Sequence, residues 1–299
     1  MGRHTPRAEG GTRGCSSYEG SPGGTRRIIA VRSFAHSLAS GGGGSSSGGN
    51  PTVTDCSGSP TDIASLPYVV AHASSGGTVT FGTGLSCSPI LLTNTLTISQ
   101  NLTITGPEAS LMAVSGGGTV GVLQVNGGTV TISGLTIENG HGSDGGGISN
   151  HGTLIVNAST VSDNSAPTGD GGGIFSDGAL TIGSSTLSDN STGVGRGGGL
   201  FLNGGYATIT DSTISGNSAH YGTGIYSSGN VTIIGSTIAD NLGYGLYAAN
   251  GAWLVASHSG GLSSVTHRSL VPSVASIPLR PLLGSFRLEV ANSLIGRDR

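Results

Sequence analysis

Residues 145–164 read GGGISNHGTLIVNASTVSDN and residues 171–190 read GGGIFSDGALTIGSSTLSDN, so that two adjacent stretches nearly repeat each other. Each stretch holds three short runs in which apolar and polar residues alternate, as in Leu180-Thr181-Ile182. Alternation is the period of a β-strand, and the runs are too short for helices. The Gly, Asn, Asp and Ser residues between the runs suit sharp corners. Each repeat is therefore predicted to hold three strands joined by tight turns.

The repeat continues through the middle of the chain. Its last motif occurs as GLTIEN, STVSDN, STLSDN, STISGN and STIADN, ending at Asn139, Asn164, Asn190, Asn217 and Asn241. These asparagines are 25, 26, 27 and 24 residues apart. A period near 25 with three strands predicts a solenoid in which each strand pairs in parallel with its equivalent one turn later. Connections between successive parallel strands are expected to be right-handed.

Stacked turns place equivalent residues in columns, and three apolar columns predict a dry core. The predicted columns are Ile148, Ile174, Leu200, Ile225 and Leu246; Leu154, Leu180, Ala207 and Val231; and Ile137, Val161, Leu187, Ile214 and Ile238. Upstream, Ile63, Leu66, Val70 and Ala73 have the spacing of one helix face. They predict a short helix that caps the open end of the core.

Charge divides the chain into three zones. Residues 1–50 carry six Arg and two Glu, residues 51–258 carry one Arg and eleven acids, and residues 259–299 carry five Arg and two acids. The first zone is predicted to be a disordered, basic, Gly/Ser-rich segment, because it lacks hydrophobic periodicity. Residues 51–258 are predicted to form the solenoid. The third zone is interpreted as an irregular tail in which residues 286–298 form one more rung.

The two ends leave alternatives open. Arg26-Arg27 and the following IIAV resemble a leader, but Arg32 interrupts the apolar run, so no signal peptide is predicted. A shifted reading frame would produce similar Arg- and Gly-rich ends, and the chain would then be a truncated product with no independent role.

Composition excludes several classes of protein. All 12 basic residues are Arg, so no lysine can act as a base or form a Schiff base. The 57 Gly come in clusters with only 11 Pro, which excludes a collagen triple helix. No apolar run approaches the roughly 18 residues of a membrane span. No basic stripe is present that would favour nucleic acid as a partner.

The motifs resemble the repeats of right-handed parallel β-helix proteins of bacterial surfaces and secretions. GGGI/L and ST(I/V/L)SxN are similar to the GGAI and FxxN repeats of polymorphic outer membrane proteins, within the wider pectin-lyase-like superfamily. The resemblance covers about residues 50–257, and residues 52–139 resemble the N-terminal module of such proteins. It implies an all-β right-handed parallel β-helix with three sheets and a short N-terminal capping helix. It also implies an extracellular or cell-surface location and a disulfide between Cys56 and Cys87, with Cys15 left unpaired.

This fold supports enzymes, adhesins and structural spacers alike. The sequence lacks the Asp-Asp or Asp-x-Asp pairs typical of its polysaccharide-cleaving members, and GHG at residues 140–142 resembles a polygalacturonase motif without its acids. No cofactor or metal is predicted, because the Cys and His residues lack metal-site spacing. The leading prediction is a non-catalytic surface repeat protein acting in adhesion, glycan contact or as a spacer. Its partners would be carbohydrate or another surface protein. A polysaccharide lyase or glycoside hydrolase is the alternative.

Two columns hold the candidate site residues. An aromatic column is predicted to point outward and either bind sugar rings or stabilise the fold by stacking; it consists of Phe175, Phe201, Tyr226 and Tyr247. The asparagine column, Asn139, Asn164, Asn190, Asn217 and Asn241, is predicted to be structural, with buried amides bonded along the axis. An acidic column of Glu138, Asp163, Asp189 and Asp240 is expected to be a solvated edge, with a bridging cation as the alternative. Asp170 and Arg196 are expected to form a surface ion pair.

Overall fold

The computed structural model describes residues 50–85, 87–243 and 245–249, together with the backbone of two further strands at 254–258 and 286–290. These residues belong to one compact unit, Gly48–Arg299. The predictions for the basic segment 1–50 and for Cys15 fall almost wholly outside the described residues. The same holds for most of the tail.

Three long sheets run along the solenoid and carry almost all of its secondary structure. Sheet 1 contains β1 (Thr52–Val53), β2 (Gly77–Phe81), β5 (Leu102–Thr105), β8 (Thr129–Ser133), β11 (Thr153–Asn157), β15 (Ala179–Gly183), β19 (Tyr206–Thr210), β22 (Asn230–Ile234), β25 (Leu254–His258) and β26 (Phe286–Val290). Sheet 2 contains β4 (Leu96–Ile98), β7 (Leu123–Val125), β10 (Ile148–Asn150), β14 (Ile174–Ser176), β18 (Leu200–Leu202), β21 (Ile225–Ser227) and β24 (Leu246–Ala248). Sheet 3 contains β3 (Ile90–Leu91), β6 (Ala113–Ser115), β9 (Thr136–Glu138), β12 (Thr160–Ser162), β16 (Thr186–Ser188), β20 (Thr213–Ser215) and β23 (Thr237–Ala239).

A fourth, two-stranded sheet pairs β13 (Ser165–Ala166) with β17 (Ser191–Thr192). Within each sheet, strands from successive turns pair in parallel, from β1 and β2 up to β22 and β25. The register is the one that the repeat predicts, as in Ile148 beside Ile174 and Ile174 beside Leu200. The chain is thus an all-β parallel solenoid of about eight turns, which confirms the predicted fold class.

The core lies between the three sheets and consists of the predicted apolar columns. Every member of those columns is 7% exposed or less. Side chains alternate between the core and the outer face. The three residues of β7 are buried, half-buried and buried, and those of β16 are half-buried, buried and half-buried. Burial of these columns is the main contribution that stabilises the fold, because few charged residues are available to do so.

A single short helix among the described residues, α1 (Leu66–His72), lies at the start of the solenoid. Ser65 caps it by accepting a hydrogen bond from the Tyr68 N–H at 3.3 Å, and Pro67 occupies the first turn, where no N–H partner is needed. Leu66, Val69 and Val70 are buried against the core. Ile63 was expected on the same face, but it precedes the helix and is 75% exposed.

The last strand differs from the parallel pattern. Residues 286–290 do form a strand, where a further rung was expected, but β26 pairs antiparallel with β25. The expected rung would have repeated the parallel register of the preceding turns, so the strand direction corrects that part of the interpretation. Residues 291–298 of the expected rung lie outside the described residues.

Candidate functional site

The outer face of sheet 2 carries the aromatic column. Phe175, Phe201, Tyr226 and Tyr247 lie in register on consecutive strands. Neighbouring rings are stacked, with centroids 5.5, 5.3 and 4.9 Å apart and interplanar angles of 25°, 23° and 7°. Such contacts add stability beyond the buried area alone. The rings therefore form a continuous ladder across four turns.

The first two rings of this ladder, Phe175 and Phe201, are buried, although strand alternation predicted that the outer face of the sheet would be exposed to solvent. Phe201 is only 3% exposed and Phe175 is 9% exposed, whereas Tyr226 and Tyr247 are half-buried. A ligand therefore has no access to the ring face of Phe201. The burial supports mutual stacking as the role of Phe201 and limits a sugar-binding role to the ends of the column.

Arg196 provides much of this cover. Its guanidinium carbon lies 4.9 Å from the centroid of the Phe201 ring and 5.0 Å from that of Tyr226. Asp170 holds the side chain in place, because its carboxylate accepts hydrogen bonds from Nη2 at 2.8 Å, from Nε at 3.3 Å and from the Arg196 backbone N–H at 2.7 Å. Hydrogen bonding to Asp170 raises the pKa of Arg196 above its usual value, the nearby Tyr226 adds to this, and burial opposes it.

A groove of about 500 Å³ opens beside the upstream end of the ladder, where Phe175 is the last ring. Its lining is mostly polar and includes Thr119, Gln124, His141, Asp144, Ser149, His151 and Phe175. Ser149 and Gln124 occupy the same column as Phe175, one and two turns before it respectively. The groove thus offers one aromatic side chain and several hydrogen-bonding groups, and it is more polar than the usual small-molecule site, whose lining is predominantly apolar.

Ser149 and His151, which line the groove, form a hydrogen-bonded series with Asp177. The Ser149 Oγ lies 3.2 Å from Nε2 of His151, and Nδ1 of His151 lies 2.9 Å from Oδ2 of Asp177. Because a carboxylate can only accept, Nδ1 carries a proton, and Nε2 of the neutral imidazole is then the acceptor for the serine hydroxyl. The His151 and Asp177 side chains are 38% and 40% exposed, so solvent reaches both.

The sequence did not predict this hydrogen-bonded series of Ser149, His151 and Asp177. Its serine and histidine are two residues apart, which places them on one face of the strand, but its aspartate belongs to the next turn. The signal was available in the register, because Asn150 lies beside Ser176 and the next pair along is His151 and Asp177. His151 and Asp177 lie in adjacent repeats and form no local sequence motif. Only an alignment of the repeats by strand register could have predicted their contact.

The asparagine column forms a ladder at a buried corner. Asn164, Asn190 and Asn217 are at most 1% exposed. The Nδ2 group of each donates to Oδ1 of the next asparagine, at 2.9, 3.0 and 2.9 Å along the series Asn164, Asn190, Asn217, Asn241. The same Oδ1 atoms also accept the preceding asparagine's backbone N–H at 3.0 or 3.1 Å. This arrangement satisfies polar groups that would otherwise be buried without partners.

Asn139 does not belong to that ladder, which corrects the predicted column. Strand pairing places Ile137 beside Val161 and Glu138 beside Ser162, so Asn139 is equivalent to Asp163 and Gly140 to Asn164. Asn139 is exposed, and its φ of 50° matches the φ of 57° at Asp163. Short polar residues tolerate this left-handed conformation. Glu138 likewise falls outside the acidic column, because the carboxylates Asp163, Asp189 and Asp240 occupy the corner position.

Cys56 and Cys87 are joined by a disulfide with their Cα atoms 5.4 Å apart. Within the described ranges, no group of three or more His, Cys, Asp or Glu side chains is arranged to hold a metal ion. In that same part of the chain, no helix has the length and apolar character needed to cross a membrane.

The fold and its register define the class of protein. Residues 120–260, a little under half of the chain, match the family model of the right-handed β-helix region. No curated protein and no solved structure gives a significant match. Over those residues the chain is similar to the right-handed β-helix family, and the described residues form the parallel three-sheet solenoid that the repeats predicted.

Proposed function

We propose that this β-helix protein binds carbohydrate at the groove beside Phe175, in an extracellular or cell-surface setting. The observation that carries the proposal is the groove itself, about 500 Å³ in volume, with one aromatic wall and polar lining. A volume of this order suits a ligand the size of one or a few sugar units.

The lining supplies both kinds of contact that a sugar uses. A sugar ring has an apolar C–H face that packs against an aromatic side chain, and Phe175 lines the groove. Hydroxyl groups require donors and acceptors, which the Gln124 amide, the Ser149 hydroxyl and the His141 imidazole provide. The same wall is rigid, because Phe175 is stacked on Phe201.

The charge of the solenoid favours a neutral or amino sugar over an acidic one. Residues 51–258 carry eleven acids and one Arg, and that Arg is paired with Asp170. Asp144 also lines the groove. An anionic polysaccharide would meet like charge there, which lowers both its rate of association and its affinity.

A polysaccharide lyase or glycoside hydrolase is the alternative function, and release of uronate or shortening of a glycan would reveal it.

A glycan array followed by calorimetry with the best-binding glycan tests the proposal. Gln124→Ala and Phe175→Leu should each weaken binding by about tenfold, because each removes one contact worth about 1.4 kcal/mol. Thr208→Ala is the matched control, since Thr208 is half-buried on the outer face of sheet 1 rather than sheet 2. Failure of every glycan to bind, or equal weakening by Thr208→Ala, would overturn the proposal.

A further inference from the structure

Two features of the fold bring Asp177 together with Ser149 and His151, the serine and histidine that line the groove. Ser149 lies on β10 and His151 directly follows that strand, and their side chains meet on one side, with Oγ 3.2 Å from Nε2. Asp177 follows the equivalent strand of the next turn, one strand spacing away. We propose that Ser149, His151 and Asp177 form a nucleophilic site that hydrolyses carboxylic esters, an activity beyond the proposed carbohydrate binding.

The geometry assigns one role to each group. Asp177 accepts from Nδ1 of His151 at 2.9 Å, which orients the ring and fixes the tautomer. Nε2 of His151 then faces Ser149 Oγ at 3.2 Å, within reach of the proton that it must remove. A nucleophile bonded to a base, and a base bonded to an orienting carboxylate, is the arrangement that activates a serine hydroxyl.

The surroundings hold this arrangement and leave it open to a substrate. The His151 ring contacts Phe175, with centroids 5.9 Å apart, and Phe175 is itself fixed in the aromatic ladder. Ser149 and His151 both line the groove, so an ester there can approach the hydroxyl. Asp177 is partly exposed, yet it needs only to bond the side of the imidazole that points away from the serine.

Gln124 is the candidate donor for the oxyanion. It is the cross-strand neighbour of Ser149 on β7 and lines the same groove. Among the described residues its amide has no hydrogen-bond partner, so its N–H groups remain available to a ligand. A donor placed where negative charge develops is a large contribution to catalysis of acyl transfer.

The reaction follows from these roles. Ser149 Oγ forms a bond to the ester carbonyl carbon while its proton passes to Nε2 of His151, and the carbonyl oxygen becomes an oxyanion beside Gln124. The C–O bond to the alcohol then breaks, and the alcohol leaves with the proton from Nε2. Water attacks the acylated serine and gives a proton to Nε2. Collapse returns that proton to Oγ and releases the carboxylic acid.

The substrate class is a carboxylic ester with a small acyl group. A small acyl group suits the lining, which is polar apart from Phe175 and a few aliphatic side chains. An O-acyl substituent on a bound glycan would present such an ester, and that extension alone rests on the proposed function.

Covalent labelling provides the first test, and it needs no glycan. The full-length protein is treated with a fluorophosphonate, which bonds to an activated serine Oγ with loss of fluoride, and the adduct is located by mass spectrometry. We expect an adduct at Ser149 that disappears in His151→Ala and is retained in His72→Ala, since His72 lies on α1. Absence of an adduct at Ser149, or an adduct that persists in His151→Ala, would overturn the proposal.

Hydrolysis of p-nitrophenyl acetate provides the second test. Ser149→Ala and Asp177→Asn should each lower kcat/KM by about 100-fold or more, because each interrupts the proton transfer. Ser188→Ala and His72→Ala control for general hydrolysis by surface hydroxyl and imidazole groups, and should leave the rate unchanged. Circular dichroism of each variant confirms folding. Equal rates for Ser149→Ala and Ser188→Ala would overturn the proposal even if glycans bind.

Discussion

The guanidinium carbon of Arg196 lies 4.9 Å from the centre of the Phe201 ring, directly over a residue whose strand position faces away from the core. The cation closes the outer side of the ring while its charged end stays partly in solvent, with 43% of the side chain exposed. Asp170 holds it there through a two-pronged ion pair. The outer face of sheet 2 therefore has a packed layer of its own, built from one arginine and the aromatic ladder.

Arg196→Ala should lower the free energy of unfolding by about 1 kcal/mol, because it removes a cation–π contact and a partly exposed ion pair. Urea denaturation followed by circular dichroism measures the change. Arg196→Lys keeps the charge but loses the planar fork, so it should recover less than half of the stability. Full recovery by lysine would show that charge alone, rather than stacking over Phe201, is what matters.

Asn190→Ala should cost about 2–3 kcal/mol, because it leaves buried groups without partners. The lost contacts include the bonds from Asn164 Nδ2 at 2.9 Å and to the Val161 carbonyl oxygen at 2.9 Å. The same denaturation measurement applies. Asn139→Gly is the control, because it removes an exposed side chain at a position whose positive φ glycine adopts freely. A comparable loss in both variants would contradict the corrected register.

Gly173→Ala should destabilise the solenoid by about 1–3 kcal/mol through overpacking. An added Cβ would lie 2.6 Å from the Gly199 carbonyl oxygen and 2.9 Å from Asn190 Cγ, in the contact between successive turns. Gly127→Ala provides the comparison, because a Cβ at Gly127 meets nothing within 4 Å. The two melting temperatures should differ by several degrees. Equal melting temperatures for the two variants would mean that the turns around Gly173 can move apart to accept a Cβ without loss of stability.

The double variant Cys56→Ser/Cys87→Ser should be less stable by about 2–4 kcal/mol, because the bridge closes a loop between residues 31 positions apart. Thermal unfolding of the oxidised protein with and without reductant provides a second measurement on the unmodified sequence. Reductant should lower the melting temperature of the native protein and leave that of the double variant unchanged. A shift in the variant would show that the reductant acts elsewhere.

Most of the fold followed from the sequence, because side-chain columns in a parallel solenoid reflect the repeat directly. Ile174, Leu180 and Leu187 lie on their predicted walls, since strand alternation and a period near 25 leave little freedom of register. Aligning the repeated motifs on their shared final asparagine places Asn139 wrongly in the asparagine ladder. Strand pairing instead follows the Thr-Ile and Thr-Val pairs, which shifts Asn139 by one position.

The site was harder to predict than the fold for a physical reason. Exposure of the aromatic column was inferred from strand alternation, which describes direction but not what lies above the ring. Arg196 comes from a corner rather than from a strand, and its path over Phe201 depends on the Asp170 contact in the preceding turn. The bond between His151 and Asp177 likewise joins two turns. Predicting a contact between two turns requires the side-chain positions in both turns, which the sequence pattern does not give.

The asparagine ladder has a consequence for how such a protein can change in length. Each asparagine offers its oxygen to the turn before it and its amide to the turn after it, whether 24, 26 or 27 residues separate the two. Excising one whole repeat would bring a donor opposite an equivalent acceptor at the new junction, and duplicating one would do the same. Gene-level gain or loss of single repeats can therefore adjust the distance between the two ends of the solenoid while every internal junction keeps the same bonds.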